Sequence, residues 1–226
     1  RKGPYEAFDG DLATAGAVDM SLVDAVDESW ATGSVGLFHT YRGLGVLGVN
    51  RGDVNGVIAG EVYGTDGPFV TPEGLTRYNT YGKVTARLSD TARISLGGLA
   101  YASGWTASGQ VPLRAVEAGT LPRFGTVDPT EGGQSTRRQI WVDVAIIDGE
   151  RSALTAAAWA GAYRLNMFSN FTFFAADPVN GDQIEQQDER TFTGFDTAWK
   201  TQQALGPVTF DTRIGSQGRA DRIDTG

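Results

Sequence analysis

The 226-residue chain has no cysteine and a single histidine. Without a thiol there is no disulfide scaffold, no thiolate zinc site and no cysteine nucleophile. One histidine alone lacks the partners that a soft-metal site requires. No run approaches the ~18 consecutive apolar residues of a membrane helix, and the chain opens on Arg1-Lys2 with no apolar signal core. Basic charge is scarce: 19 Lys and Arg stand against 27 Asp and Glu, a formal net charge of −8. That balance excludes a general nucleic-acid binder, whose affinity rests on a basic stripe displacing counterions from phosphates. The lack of apolar runs leaves one route to the membrane open, because a transmembrane strand shows lipid only its alternate residues.

What the chain does have is a period of two, repeated over segments longer than the usual ~5–6-residue strand. From Leu75 to Ser89, one parity carries Arg77, Asn79, Tyr81, Lys83, Thr85 and Arg87, and the other Tyr78, Thr80, Gly82, Val84, Ala86 and Leu88. A strand sends these sets to opposite faces, whereas a helix would scatter them. The same reading separates Ile140, Val142, Val144 and Ile146 from Gln139, Trp141 and Asp143. Around 190–201 it sets Phe195 and Trp199 against Arg190, Asp196 and Lys200, and from Val208 it sets Phe210 and Ile214 against Asp211, Arg213, Gln217, Arg219 and Asp221. The alanine-rich stretch from Ser152 to Met167 favours helix by propensity. The Asp-Gly before it and its alternation, with Ala157, Trp159, Gly161, Tyr163, Leu165 and Met167 on an apolar parity, predict a strand instead.

Connections alternate in length. Short turns are expected at 50–53, 89–91, 148–150 and 206–207, and long polar joins at 64–74, 106–135 and 175–189. A meander with one trimmed rim and one elaborated rim has this pattern, as outer-membrane barrels do. The expected fold is all-β, an antiparallel up-and-down meander of about nine long strands beginning near 16, 34, 56, 75, 93, 137, 152, 190 and 208.

Three stretches together resemble a TonB-dependent outer-membrane receptor. Residues 3–20, GPYEAFDGDLATAGAVDM, are similar to the junction between the end of the plug and the first barrel strand. Residues 104–137, GWTASGQVPLRAVEAGTLPRFGTVDPTEGGQSTR, are similar to a long extracellular loop and the strand start after it. Residues 169–190, SNFTFFAADPVNGDQIEQQDER, resemble the next such loop. The resemblance implies that 1–15 end a plug and 16–226 form the N-terminal part of a barrel with short periplasmic turns and long extracellular loops. Neither a plug nor a TonB box is recognised, and nine strands fall short of the 22 of such transporters, so an incomplete arc of barrel is expected. The implied role is energy-coupled uptake of a scarce ligand such as a siderophore or other metal chelate, in the bacterial outer membrane. The implied partners are lipid, the TonB complex and that chelate.

The resemblance also sorts the polar residues. Arg77, Lys83, Arg87, Asp143, Asp196, Lys200, Asp211 and Arg213 are expected to face the lumen and plug, and Trp105, Gln110, Arg123 and Asp128 to contact ligand from the long loop. Asp177, Asn180, Asp182 and Glu185 gather oxygens in a Gly-containing loop, and calcium is the one cofactor weighed there, although the spacing departs from an EF-hand. Arg51-Gly52-Asp53 reads as a turn, and Asn170-Phe171-Thr172, though a sequon, as a strand end. His39, expected on a strand beside Phe38 and Tyr41, is the only candidate general base. No serine–carboxylate pattern accompanies it, so no catalytic residue is assigned and a non-enzyme is expected. Two other classes stay open: an outer-membrane barrel enzyme, and a soluble β-rich binding or adhesion protein with its apolar face packed on a second sheet.

Overall fold

A computed structural model describes residues 3, 15, 16, 18, 22–149, 151–179 and 181–226. Nine strands form one antiparallel sheet in sequence order: β1 (Trp30–Val35), β2 (Tyr41–Arg51), β3 (Val54–Thr65), β4 (Leu75–Arg87), β5 (Ala92–Thr106), β6 (Gly132–Asp148), β7 (Ser152–Ser169), β8 (Ile184–Leu205) and β9 (Val208–Thr225). One short helix, α1 (Leu113–Glu117), interrupts the longest loop. β1 and β9 do not pair, so the sheet is an unclosed arc, as expected from the sequence.

Several boundaries differ from expectation. The strand expected near 16 falls largely outside the described residues, and 22–29 form none. The single strand expected from 34 is broken by a hairpin at 36–40, where Phe38 and His39 both take positive φ, 59° and 53°. Paired left-handed residues make the turn that matches strand twist, but Asn-Gly is its usual signal, so Phe-His concealed it. His39 thus sits in a turn and not on a strand. β6 begins at 132 and β8 at 184, both earlier than the sequence suggests, because the strands continue into what composition marks as loop.

Burial on this sheet is inverted. Lys83, Thr85, Ser95, Ser103 and Ser135 are buried, while Val84, Leu96, Ile140, Val142 and Phe195 are exposed, Leu96 by 63%. The register explains the pattern. Val49, Gly56, Val84, Leu96, Val142, Ala158, Phe195 and Gly218 lie opposite one another from β2 to β9 and share one face, here called the outer. The neighbouring row, Gly48, Val57, Lys83, Gly97, Trp141, Trp159, Gly194 and Arg219, shares the inner face.

On the outer face of β6 the first charges are Arg138 toward the long loops and Asp148 at the short turn; the rows between them carry none on any strand from β3 to β9, and on β2 only Arg51, its last residue at the short turn. Ten residues at ~3.4 Å span about 34 Å along a strand, or about 24–28 Å in height at a 35–45° tilt, against an apolar band of ~25 Å in outer-membrane barrels. Among the described residues no second sheet covers this face, as a soluble β-sandwich would require. Trp199 and Phe210 lie on it near the short-turn rim.

One parity was misjudged. The Trp159 and Tyr163 face of β7 is inner, since Trp159 pairs with Trp141 and Tyr163 with Arg137, and its outer face carries Leu154, Ala156, Ala158, Ala160 and Ala162. The aromatics of the inner face rest on glycines. Trp141 covers Gly97, Trp159 covers Gly194 and Phe192 covers Gly161, each its cross-strand partner, and a Cβ on any of these glycines would collide with the ring. Trp141 also stacks on Tyr81, with centroids 6.1 Å apart and planes at 17°.

Candidate functional site

The inner face is the candidate site, together with the loops that rim it. All eight residues expected to line a lumen share this face by register: Arg77, Lys83 and Arg87 on β4, Asp143 on β6, Asp196 and Lys200 on β8, and Asp211 and Arg213 on β9. They do not form one cluster. Arg87 pairs with Asp53 at the short-turn rim, whereas Arg77 belongs to a group nearer the long loops.

Residues 22–29 form a strap across the inner face. Tyr81 donates its hydroxyl to the Val23 carbonyl at 2.8 Å, Asn50 donates to the Val26 carbonyl at 2.9 Å, and the Gly48 amide donates to Ser29 Oγ at 3.0 Å. Val26 lies directly on Gly48, so the absent side chain is what admits the strap. Lys83, 8% exposed, holds Asp24 and stands 3.9 Å from Asp143, and Arg93 also reaches Asp24 at 3.9 Å. A 180 Å³ cavity beside them is lined by Lys83, Ser95, Asp143, Ala157 and Asp196. Lys83→Met leaves Asp24 without its nearest cation, and protease sensitivity within 22–29 is expected to rise about tenfold while the sheet stays folded; unchanged cleavage there would show that the pair does not hold the strap.

Nearer the long loops the wall combines arginine with aromatic rings. Glu61 accepts from Arg42 Nε at 2.7 Å, Arg77 at 3.1 Å and Asn79 at 3.0 Å, and Arg77 lies 4.8 Å over the Tyr63 ring. Phe192, 5% exposed, has Arg137 5.5 Å and Arg219 5.3 Å from its centroid, and Arg190 sits 5.7 Å from Tyr163. Asp188 and Asp221 offset Arg190 and Arg219, whereas Arg137 donates to the neutral Gln139, at 2.9 Å. Phe192 and Arg137 escaped the sequence reading, since a lone Phe among polar residues and an Arg at a loop boundary mark neither face until register is known.

The rim loops are stitched to each other. The Asp66 amide bonds Phe38 O at 2.8 Å, Asp66 Oδ2 lies 2.5 Å from His39 Nδ1, and the Val70 amide bonds Phe124 O at 2.9 Å. Phe69 meets Phe124 edge-on at 6.2 Å, and Gln183 donates to Thr130 Oγ1 at 2.7 Å.

Of the four expected ligand contacts, Gln110 and Arg123 are exposed on the 107–131 loop. Trp105 ends β5 with its ring against Gly133, its register partner. Asp128 is buried: it accepts from the Thr130 amide and hydroxyl at 3.0 and 2.5 Å and from Asn170 Nδ2 at 3.1 Å. Burial pushes its carboxyl up, but these bonds outweigh it and hold the group below the ordinary range.

In the loop weighed for calcium, Asn180 lies outside the described residues. Asp182 accepts from the Thr172 hydroxyl and from the Ala176 and Asp177 amides, an internal staple that accounts for this acid with donors of its own loop. Those bonds, the Thr172 hydroxyl foremost, lower the Asp182 pKa. Its contribution is therefore present above the ordinary aspartate range and lost as pH falls through the lowered value. Hydrogen exchange at 171–179 is expected to stay slow from neutral pH into that range and to quicken below it. Asp182→Ala should be fast throughout, and an acid-insensitive wild type would contradict the staple.

No protein-family model and no curated protein sequence matches the chain. Solved structures do. The ferric-catecholate import receptor Fiu from E. coli K12 superposes with a TM-score of 0.76 at 17% identity, over 97% of this chain and 38% of that one. P. aeruginosa FpvA, solved with heterologous pyoverdines and iron, gives 0.64 at 10% identity, over 87% of this chain and 28% of that one. The fold is that of a TonB-dependent receptor barrel wall. The TonB-dependent receptor resemblance seen in three sequence segments and the meander seen in the sheet thus meet in one architecture, of which this chain spans well under half the length of the two structures.

Proposed function

We propose that the chain is part of a TonB-dependent receptor of a bacterial outer membrane. The receptor takes up a scarce metal chelate, such as an iron siderophore, with energy delivered through a plug on the periplasmic side. The observation that carries this reading is the inverted sheet: an apolar band of bilayer height, uncharged from β3 to β9, on one face, and buried Lys83, Thr85 and Ser95 on the other. The open edges of β1 and β9 are then met by further strands, as lipid requires every backbone group to be paired. The inner face supplies what an anionic, aromatic chelate needs, guanidinium groups beside ring faces, and Fiu is by its description a ferric-catecholate importer.

The test is uptake of labelled ferric chelates by cells that depend on this receptor. Catecholate uptake is expected to fall about tenfold in Arg137→Glu/Arg219→Glu, equivalent to ~1.4 kcal/mol, with the protein still in the outer membrane. Uptake that is independent of the receptor, for ferric catecholates and other chelates alike, would reject the role.

A further inference from the structure

Asp128 and Glu131 are both buried, at 6% and 7% exposure, close enough to repel one another, and neither forms an ion pair with a described Lys, Arg or His. Hydrogen bonds anchor Asp128, but neither acid has a countercharge, and two like charges in a sealed place are costly unless a proton or a cation balances them. Asn170, at the start of the next loop and 3% exposed, joins them: its backbone N–H donates to the Glu131 carboxylate and its side-chain nitrogen to Asp128 Oδ2. The oxygen of that carboxamide, Oδ1, is sealed from solvent with no donor among the described residues. Gly109, at φ +64°, makes room for the arrangement, since a Cβ there would lie 2.8 Å from both Glu131 carboxylate oxygens. The junction thus offers two carboxylates and an orphan carbonyl oxygen, an all-oxygen hard donor set bearing two negative charges.

We propose that Asp128, Glu131 and Asn170 Oδ1 bind a divalent hard cation, calcium by donor type, which clamps the 107–131 loop to the 170–183 loop. The site is separate from the Asp177–Glu185 loop. It stands apart from the transport reading, because it requires only that the two loops meet. Burial and the Asp128 charge both disfavour the Glu131 carboxylate, and a bound cation offsets both.

The experiment uses the intact receptor in detergent, titrated with calcium chloride at pH 7.5 and followed by calorimetry and by hydrogen exchange at 107–131 and 170–179. Saturable binding near ~0.1–1 mM, the range of extracellular calcium modules, is expected to slow exchange in both loops about tenfold. Asp128→Asn and Glu131→Gln should abolish the calcium effect, whereas Asn170→Asp should bind calcium more tightly. In chelator, Glu131→Gln should exchange more slowly than wild type, which shows that it folds. Absence of calcium-dependent protection, protection that follows pH alone, protection equal in all variants, or loss of binding in Asn170→Asp would each overturn the site.

Discussion

Leu96→Arg is expected to cost about 2–4 kcal/mol of barrel stability, the penalty for a cation at the lipid midplane of an outer-membrane barrel. Gln139→Arg, on the adjoining strand but the opposite face, should cost under ~1 kcal/mol. Leu96 lies in the middle of the uncharged band, flanked across the ladder by Val84 and Val142, while Gln139 sits on the inner face between Leu99 and Gly161. In a soluble protein the expectation reverses, because Leu96 is 63% exposed and an exposed Leu→Arg change is close to neutral in water. Folding titrations into lipid vesicles measure both variants. Equal costs, or a larger cost at Gln139, would place the apolar face away from lipid.

The second large effect comes from the glycines beneath the rings. Gly97→Val puts a side chain where the Trp141 indole lies, and Gly194→Val does the same beneath Trp159. Neither glycine has a positive φ, so the cost is one of space and not of backbone strain. Overpacking of this kind costs about 1–3 kcal/mol. Trp141 is also stacked on Tyr81, which itself holds the strap at Val23, so its displacement should loosen 22–29 as well. Trp141→Ala alone removes the ring's packing, yet added to Gly97→Val it should restore part of the lost stability. A double-mutant cycle of chemical unfolding shows this as coupling of ~1 kcal/mol or more. Strict additivity would mean that the ring does not depend on the glycine.

These two expectations draw on different levels of legibility. The outer band was readable from the sequence because Val84, Ile140, Val142 and Phe195 alternate with polar neighbours, and alternation is local. That the residues from Arg77 to Arg213 share the opposite face was readable for the same reason. The glycine seats were not: Gly97 and Trp141 are 44 positions apart, and only the register brings them opposite each other. Trp159 and Tyr163 were given to an apolar parity because hydrophobicity alone does not distinguish a ring against a glycine from a ring against lipid. Phe38 and His39 hid a turn because the residues there lack its usual chemistry. The rim was least legible. The resemblance marked Asp128 as a ligand contact, and only the fold shows that it accepts from Thr130 and Asn170. Asn170 read as a strand end, though its side chain joins two loops.

The most direct measurement of the central claim is a nitroxide scan along β5 and β6 in lipid vesicles, recording accessibility to oxygen and to a water-soluble nickel chelate. Labels at 94, 96, 140, 142 and 144 should favour oxygen, and labels at 93, 95, 139 and 143 should favour nickel, alternating residue by residue between Arg138 and Asp148. A helical period, or nickel access at Leu96 and Val142 equal to that at Ser95 and Asp143, would contradict a barrel wall whose apolar face meets lipid.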